Sequence, residues 1–143
     1  MDPTIRDAAP GDAEAVATLL TQLGYPSEPD AVEARLDRLR VVGDRVVVAE
    51  LQGDVVGVAH LQVSPALERD RPAGKLGALV VDEAQRGHGI GRALVEAMEA
   101  EARLRGCELF FLTTSERRED AHAFYEDVGL EQTGRRYTRT LSE

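Results

Sequence analysis

The sequence predicts an α/β fold in which a mixed, mostly antiparallel sheet carries helices on both faces. β-Branched and apolar stretches alternate with segments of helical periodicity, and two of them are separated by a short turn typical of an antiparallel hairpin. Two later apolar stretches flank a helix that would join them as parallel strands. The 143 residues are long enough for a proper core and are expected to form a single domain, residues 1–143.

The first half of the chain is predicted to contain one strand, two helices and a hairpin. Asp12 is expected to be the N-cap of the first helix, and Gly24 is expected to end it before Pro26. The hairpin turns at residues 52–54. The predicted bounds are 4–8, 45–51 and 55–63 for the strands and 12–24 and 28–39 for the helices.

The second half is predicted to contain a glycine-rich turn between an apolar strand and an amphipathic helix. That helix places Ile90, Leu94, Met98 and Ala102 at i, i+4 spacing and ends at Gly106. The full predicted order is β-α-α-β-β-β-α-β-α-β. The remaining strands are predicted at residues 76–81, 107–114 and 131–141, and the final helix at residues 118–129. In the last strand, Tyr137 is the main residue with a largely apolar side chain.

Composition and charge exclude several classes of protein. The formal net charge of −9 opposes binding to nucleic acid or to an acidic membrane surface. Apolar runs stay well short of the roughly 18–20 residues that a membrane span requires, and the first residues do not resemble a signal peptide. The single cysteine, Cys107, suits a reducing compartment. A cytoplasmic location is expected.

The stretch LVVDEAQRGHGIGRAL, residues 79–94, predicts an anion site. Glycines at a junction of strand and helix let backbone N–H groups approach a phosphate at the helix N-terminus. The spacing of Gly87, Gly89 and Gly91 does not fit the dinucleotide fingerprint G-x-G-x-x-G, and no Walker A lysine follows. A turn that only connects the two elements is the alternative, and a nucleotide-binding enzyme is the remaining rival among phosphate binders.

Two motifs resemble those of the GNAT superfamily of acetyl-CoA-dependent N-acetyltransferases. The stretch Arg86-x-x-Gly89-x-Gly91 is similar to the family's coenzyme signature [QR]-x-x-G-x-[GA], preceded by a strand that ends in LVV. The stretch AHAFYEDVGL, residues 121–130, is similar to the second family signature. The predicted order of elements also agrees. The resemblance therefore spans essentially the whole chain and implies the GNAT acyl-CoA N-acyltransferase fold, with a splayed pair of parallel strands.

The resemblance implies which residues hold the coenzyme. Backbone N–H groups of the glycine turn would bind the diphosphate of acetyl-CoA, and the preceding strand would pair with the pantetheine arm and the acetyl carbonyl. No metal is expected. The cofactor-binding candidates are Leu79, Val80, Val81, Arg86, Gly87, His88, Gly89, Ile90, Gly91 and Arg92, together with Phe124, which is also a core candidate, and Ser115 and Arg118, which would replace a coenzyme-contacting Asn of relatives.

The reaction implied by the resemblance is direct attack of an amine on the thioester. Tyr125 matches the family's tyrosine at this position, and a phenol, with a reference pKa of about 10, can donate a proton to the departing thiolate at pH 7. The alternative is that its hydroxyl only satisfies a buried backbone group. No general base is assigned; His60, His122 and Glu50 are candidates, and a water chain or an already neutral amine would make one unnecessary.

The acceptor is predicted to be a primary amine of a small molecule, bound largely by the first two helices and their link, residues 20–32. Tyr25, Glu28 and Asp30 favour a cationic amine. Acetylation of a protein N-terminus or lysine is one alternative, and a non-catalytic module that binds acetyl-CoA is another. Many relatives are dimers, and RRYTRTL, residues 135–141, is a candidate for a strand that pairs in a homodimer.

Overall fold

The structure is a computed structural model that describes residues 2–113 and 119–142. The chain divides into two compact units, Met1–Phe111 and Leu112–Glu143, which are described separately. The single domain predicted from the sequence therefore stays a prediction. The elements are β1 (Thr4–Asp7), α1 (Ala13–Leu23), α2 (Pro29–Val41), β2 (Arg45–Leu51), β3 (Asp54–Ser64), β4 (Ala73–Val81), α3 (Ile90–Leu104), β5 (Leu109–Phe111) and α4 (Glu119–Asp127), with short 3-10 helices at Pro10–Asp12 and Glu83–Gln85.

The first unit is built on a five-stranded sheet in the order β1-β2-β3-β4-β5. Neighbours from β1 to β4 are antiparallel, and β4 and β5 are parallel, which confirms the predicted fold class. The hairpin between β2 and β3 closes through Gln52 and Gly53, whose φ angles are 54° and 86°. Two central residues with positive φ are typical of the tight type I′ turn.

Helices cover both faces of this sheet. On one face, Val58 and Val80 are buried in a cluster with Val16 of α1 and Val32 of α2. On the other face, a side chain at Gly57 would meet Leu94 and Ile90 of α3, at 3.0 and 3.4 Å from its Cβ. Glycine at this position therefore lets α3 approach the sheet closely. Among the described residues, no helix is long and apolar enough to cross a membrane.

The C-terminal ends of the predicted helices and of the first four predicted strands lie within two residues of those in the structure. Gly24, Gly106 and Gly129 follow α1, α3 and α4 with left-handed backbone, and each helix ends within two residues of its predicted end. The first strand ends one residue early, and β5 covers only Leu109–Phe111 of the predicted 107–114. This strand is short because it pairs with only three residues of β4, Ala73 to Lys75.

The predicted final strand, residues 131–141, is wrong for the described chain. Residues 130–142 form neither helix nor strand, and residues 131–142 are exposed throughout. The large apolar side chains of this stretch, Tyr137 and Leu141, are 88% and 94% exposed. A strand is stabilised by packing one face against neighbours, and this arginine-rich segment has few apolar groups to bury.

An ion-pair cluster fixes the start of the first unit. The carboxylate of Asp12 accepts hydrogen bonds from Nη1 and Nη2 of Arg6, at 2.8 and 3.0 Å, and from the N–H of Ala9 at 2.7 Å. Arg6 also binds Glu50 at 3.1 Å. Asp12 lies at the predicted N-cap of α1, but its side chain makes no capping hydrogen bond to that helix. The hydrogen bonds from Arg6 are the main cause that lowers the pKa of Asp12.

We expect this cluster to make stability depend on pH. Because the pKa of Asp12 is lower in the folded state, its contribution is present above the ordinary aspartate pKa near 4 and is lost as pH falls through the folded value. Asp12→Asn should lower the free energy of unfolding at pH 7 by about 1–2 kcal/mol. Urea denaturation at pH 7 and pH 3 measures both effects. An equal loss on acidification in the parent and the variant would contradict the assignment.

Candidate functional site

The glycine turn between β4 and α3 has the geometry that the sequence predicts. Gly87 and Gly89 have φ angles of +86° and +80°, a region that side chains other than glycine rarely adopt. A Cβ at either position would have no heavy atom within 4 Å, so the conformation and not crowding requires glycine. Gly91 lies in the first turn of α3.

The N-terminus of α3 is open to a ligand. Gly89 is the N-cap residue and has no side chain to bond the first N–H groups, and the first turn contains no acidic residue. Ile90 and Leu94 are 2% and 0% exposed and anchor the helix on the sheet. The helix start is therefore fixed by its buried face, while the N–H groups that have no partner inside the helix and the positive end of the helix dipole face an approaching anion. Arg86, His88 and Arg92 are exposed.

The approach to the turn is held by hydrogen bonds that backbone N–H groups donate. Asp82 donates its N–H to the carbonyl oxygen of Val56 at 2.8 Å, and its carboxylate accepts the N–H of Ala84 at 2.9 Å. The amide oxygen of Gln22 on α1 accepts the N–H of Glu83 at 3.1 Å. The first helix is thus attached directly to the turn. No local pattern in the sequence points to Gln22, because its partner lies 61 residues away.

The C-terminal half of β4 has an open edge. β5 pairs with β4 only up to Lys75, opposite Phe111, and β4 continues to Val81 without a partner on that side among the described residues. The N–H of Asp82 faces β3, so strand alternation directs the amides of Leu79 and Val81 away from β3 and toward the open edge. The carbonyl oxygen of Val81 accepts a hydrogen bond from Nε of Arg86 at 3.3 Å.

Val80 and Ile90 are placed differently from the other coenzyme candidates. The side chain of Val80 is 4% exposed and belongs to the core under α1. Its backbone faces β3 by the same alternation. Ile90 also lies in the core, so it can contribute only its backbone N–H to a bound anion. The open edge and the turn therefore leave Leu79, Val81 and residues 86–92 as the groups that can meet a ligand.

A bulge in β4 lies at the start of the open edge. Gly77 and Ala78 together face the single residue His60 of β3. Nε2 of His60 lies 2.8 Å from Oδ2 of Asp44, and the two side chains are 20% and 7% exposed. A Cβ at Gly77 would stand 2.5 Å from Nδ1 of the His60 ring. Asp44 was not among the sequence candidates, because its pairing with His60 depends on the register of β2 against β3.

We expect Gly77→Ala to destabilise the first unit. The new methyl group would overlap the His60 ring, which Asp44 holds in place, so the cost should be about 1–3 kcal/mol of unfolding free energy. Gly11→Ala is the matched control, because nothing lies within 4 Å of a Cβ there and φ is not positive. Urea denaturation of both variants measures the difference. Equal stability of the two would show that the ring moves aside freely.

The second unit contains the predicted general acid. Tyr125 lies on α4, half-buried, and its ring packs edge-on against Phe124 with centroids 5.5 Å apart. The N–H of Leu130 donates to the carbonyl oxygen of Tyr125 at 3.0 Å, and Gly129 takes the left-handed conformation, so the helix ends in a Schellman motif. Ser115 and Arg118, two further coenzyme candidates, lie outside the described residues.

The candidate bases have different surroundings. Glu50 is in the ion-pair cluster with Arg6, His60 is paired with Asp44, and His122 is half-buried on α4. Burial raises the pKa of the Cys107 thiol, which agrees with a packing role for this residue.

The geometry of the first unit brings together the open edge, the bulge and the glycine turn.

An open strand edge that leads into the N-terminus of a helix is an arrangement suited to an extended ligand that carries a phosphate group. The acetyltransferase (GNAT) family model matches residues 13–130. This match covers most of the chain, which therefore belongs to the GNAT family and is an N-acetyltransferase.

Relatives and solved structures agree with this assignment. The chain is 33% identical to an aminoalkylphosphonate N-acetyltransferase of Salmonella typhimurium, over 96% of this chain and 90% of that protein. It is 34% identical to an aminoglycoside N(6')-acetyltransferase type 1 of Stenotrophomonas maltophilia, over 93% and 89%. The crystal structure of a Trypanosoma brucei acetyltransferase superimposes with a TM-score of 0.83 at 29% identity and covers 98% of this chain and 100% of that one.

Proposed function

We propose that this enzyme transfers the acetyl group of acetyl-CoA to a primary amine of a small molecule by direct attack. The observation that carries the proposal is the continuity of the open β4 edge with the glycine turn at the N-terminus of α3. One extended ligand can pair with the edge through its amides and place a diphosphate at the helix start. Acetyl-CoA has both parts, and it supplies the activated acetyl group.

The residues of the first unit fit this coenzyme without a metal. The N–H groups of residues 86–91 would hold the diphosphate, and the exposed Arg86 and Arg92 add positive charge beside it. The backbone groups of Leu79 and Val81 on the open edge would hold the pantetheine arm. The N–H of Val81 would polarise the thioester carbonyl, as an oxyanion-hole donor does.

The second unit would supply the acid. Attack joins the acceptor nitrogen to the carbonyl carbon and breaks the bond from that carbon to sulfur, so the nitrogen loses a proton and the thiolate gains one. Tyr125 is the proposed donor to the thiolate. No side chain is assigned to take the proton from nitrogen.

A small-molecule acceptor is supported by the relatives. The two curated relatives that match most of the chain are named for aminoalkylphosphonate and aminoglycoside acceptors. A protein N-terminus or lysine is the less favoured acceptor. We also propose a cytoplasmic location and a homodimer, and light scattering at micromolar concentration tests the latter.

Calorimetry followed by a thiol-release assay tests the proposed function. We expect acetyl-CoA to bind and coenzyme A to be released when small primary amines are added. ATP and NAD at equal concentration should not compete, as they would with a nucleotide-binding enzyme. Tight binding of acetyl-CoA with no turnover on small amines, peptides or proteins would instead favour a non-catalytic binding module.

A further inference from the structure

We propose that a pocket over β3, β4 and β5 binds an anionic group of the acceptor, and that Lys75 makes the enzyme select amines carrying a phosphonate or phosphate group. This inference rests on the proposed function, because it concerns the acceptor of that reaction. It assigns a specificity role to the only lysine of the chain.

The pocket has the size and lining of a small-molecule site. It encloses about 300 Å³ between the sheet and the link from β3 to β4. Small-molecule sites in proteins measure roughly 300–1,000 Å³, so this one suits a small ligand. Leu109 and Phe111 of β5 give it an apolar wall, and Gln62 and Ser64 of β3 give it hydrogen-bonding groups. Lys75 lies between these two strands, on β4.

Lys75 is the cation of this pocket that lacks a carboxylate partner within the described residues of the first unit. Two other charged groups line the pocket, Arg69 and Glu68. The guanidinium of Arg69 lies 3.9 Å from the carboxylate of Glu108, which partly neutralises it. Within residues 2–111, no carboxylate lies within 4.0 Å of the Lys75 ammonium. A half-buried ammonium without a carboxylate partner favours an anionic ligand.

The pocket adjoins the place where the acetyl group would lie. Lys75 and Phe111 form the last register pair before β4 loses its partner, so the pocket ends where the open edge begins. Leu79, the first proposed coenzyme-pairing residue, is four residues further, at most about 13 Å along the strand. The four-carbon stem of Lys75 covers part of that distance. An acceptor only a few bonds long can therefore place its amine at the thioester and its anion at Lys75.

The charge of the whole protein makes this local cation important. At a net charge of −9, the protein repels anions in general, so an anionic acceptor must be selected by specific contacts. The other pocket near the predicted acceptor segment, between α1 and the α1–α2 link, does not offer such contacts. It encloses about 280 Å³, and its charged lining residue is Glu14.

A matched pair of acceptors tests the proposal. Aminopropylphosphonate and aminopropanol have the same amine and differ at the other end, where one has a phosphonate and the other a hydroxyl. With the parent enzyme we expect a lower KM for the phosphonate. Lys75→Gln should raise that KM about tenfold, because it removes one charge-assisted hydrogen bond. It should change the KM for aminopropanol less than twofold.

Two further variants separate the site from general effects. Lys75→Arg keeps the charge and should retain most of the preference. Arg103→Gln removes the same charge from the exposed face of α3, where Arg103 pairs with Glu99, and should leave both KM values unchanged. Thermal melts of all variants verify folding. A preference for the phosphonate that survives Lys75→Gln, or a lower KM for an aminoglycoside than for the phosphonate, would overturn the proposal.

Calorimetry keeps this test independent of turnover. Aminopropylphosphonate is titrated into the enzyme saturated with coenzyme A, for the parent and for Lys75→Gln. If no amine is acetylated but phosphonate binding weakens about tenfold in the variant, the proposed function fails and the anion site stands. If amines are acetylated and phosphonate binding is equal in both proteins, the anion site fails and the proposed function stands.

Discussion

Tyr125→Phe is expected to lower kcat by at least about 10²-fold while acetyl-CoA binding stays close to that of the parent. General acid catalysis contributes roughly 10²–10⁴-fold, and phenylalanine removes only the hydroxyl that would protonate the departing thiolate. The ring itself, which packs edge-on against Phe124, is retained. The thiol-release assay gives kcat, and calorimetry gives the affinity for acetyl-CoA.

Tyr137→Phe is the matched control for this experiment. It makes the same chemical change in the same unit, at a side chain that is 88% exposed, and should leave kcat unchanged. If the hydroxyl of Tyr125 only satisfied a buried backbone group, Tyr125→Phe would lower the melting temperature and leave turnover within a few-fold of the parent. That pattern would remove Tyr125 from the mechanism.

The backbone features that the sequence predicted correctly depend on local requirements. Gly87 and Gly89 take positive φ angles, and the sequence alone pointed to a turn that only glycine tolerates at a strand–helix junction. Helix ends were predictable for the same reason, since Gly24, Gly106 and Gly129 each follow a helix in left-handed conformation. Such features involve residues that are close together in the chain.

The parts that sequence reasoning missed depend on pairing between distant segments. The bulge that places Gly77 and Ala78 opposite His60 is visible only in the register of β3 against β4, and it is what brings the glycine against the ring. The early end of β5 also depends on distant pairing, because an apolar run in the sequence does not show how many of its residues pair with the neighbouring strand. Lys75 shows the difference well. In the sequence it is a lone lysine before a strand. In the fold it lines a pocket at the point where β5 stops pairing with β4.

Gly89→Val is expected to weaken acetyl-CoA binding by about 100-fold. Valine is β-branched and disfavours a φ of +80°, so the turn would rearrange and the N–H groups at the start of α3 would no longer point to one place. Each hydrogen bond from these groups to a diphosphate is charge-assisted and contributes about 1.5–3 kcal/mol. A 100-fold change corresponds to about 2.8 kcal/mol, so the loss of one or two such bonds accounts for it. Calorimetric titration with coenzyme A measures it.

Gly43→Val separates backbone strain from ligand binding. Gly43 follows α2, has a φ of +88° and, like Gly89, has no heavy atom within 4 Å of a Cβ. Both variants should therefore lose a similar amount of unfolding free energy, about 1–2 kcal/mol from the left-handed backbone alone. Only Gly89→Val should lose affinity for coenzyme A. If both variants bound coenzyme A as the parent does, the glycines would serve the connection between strand and helix, and the diphosphate would have to be held elsewhere.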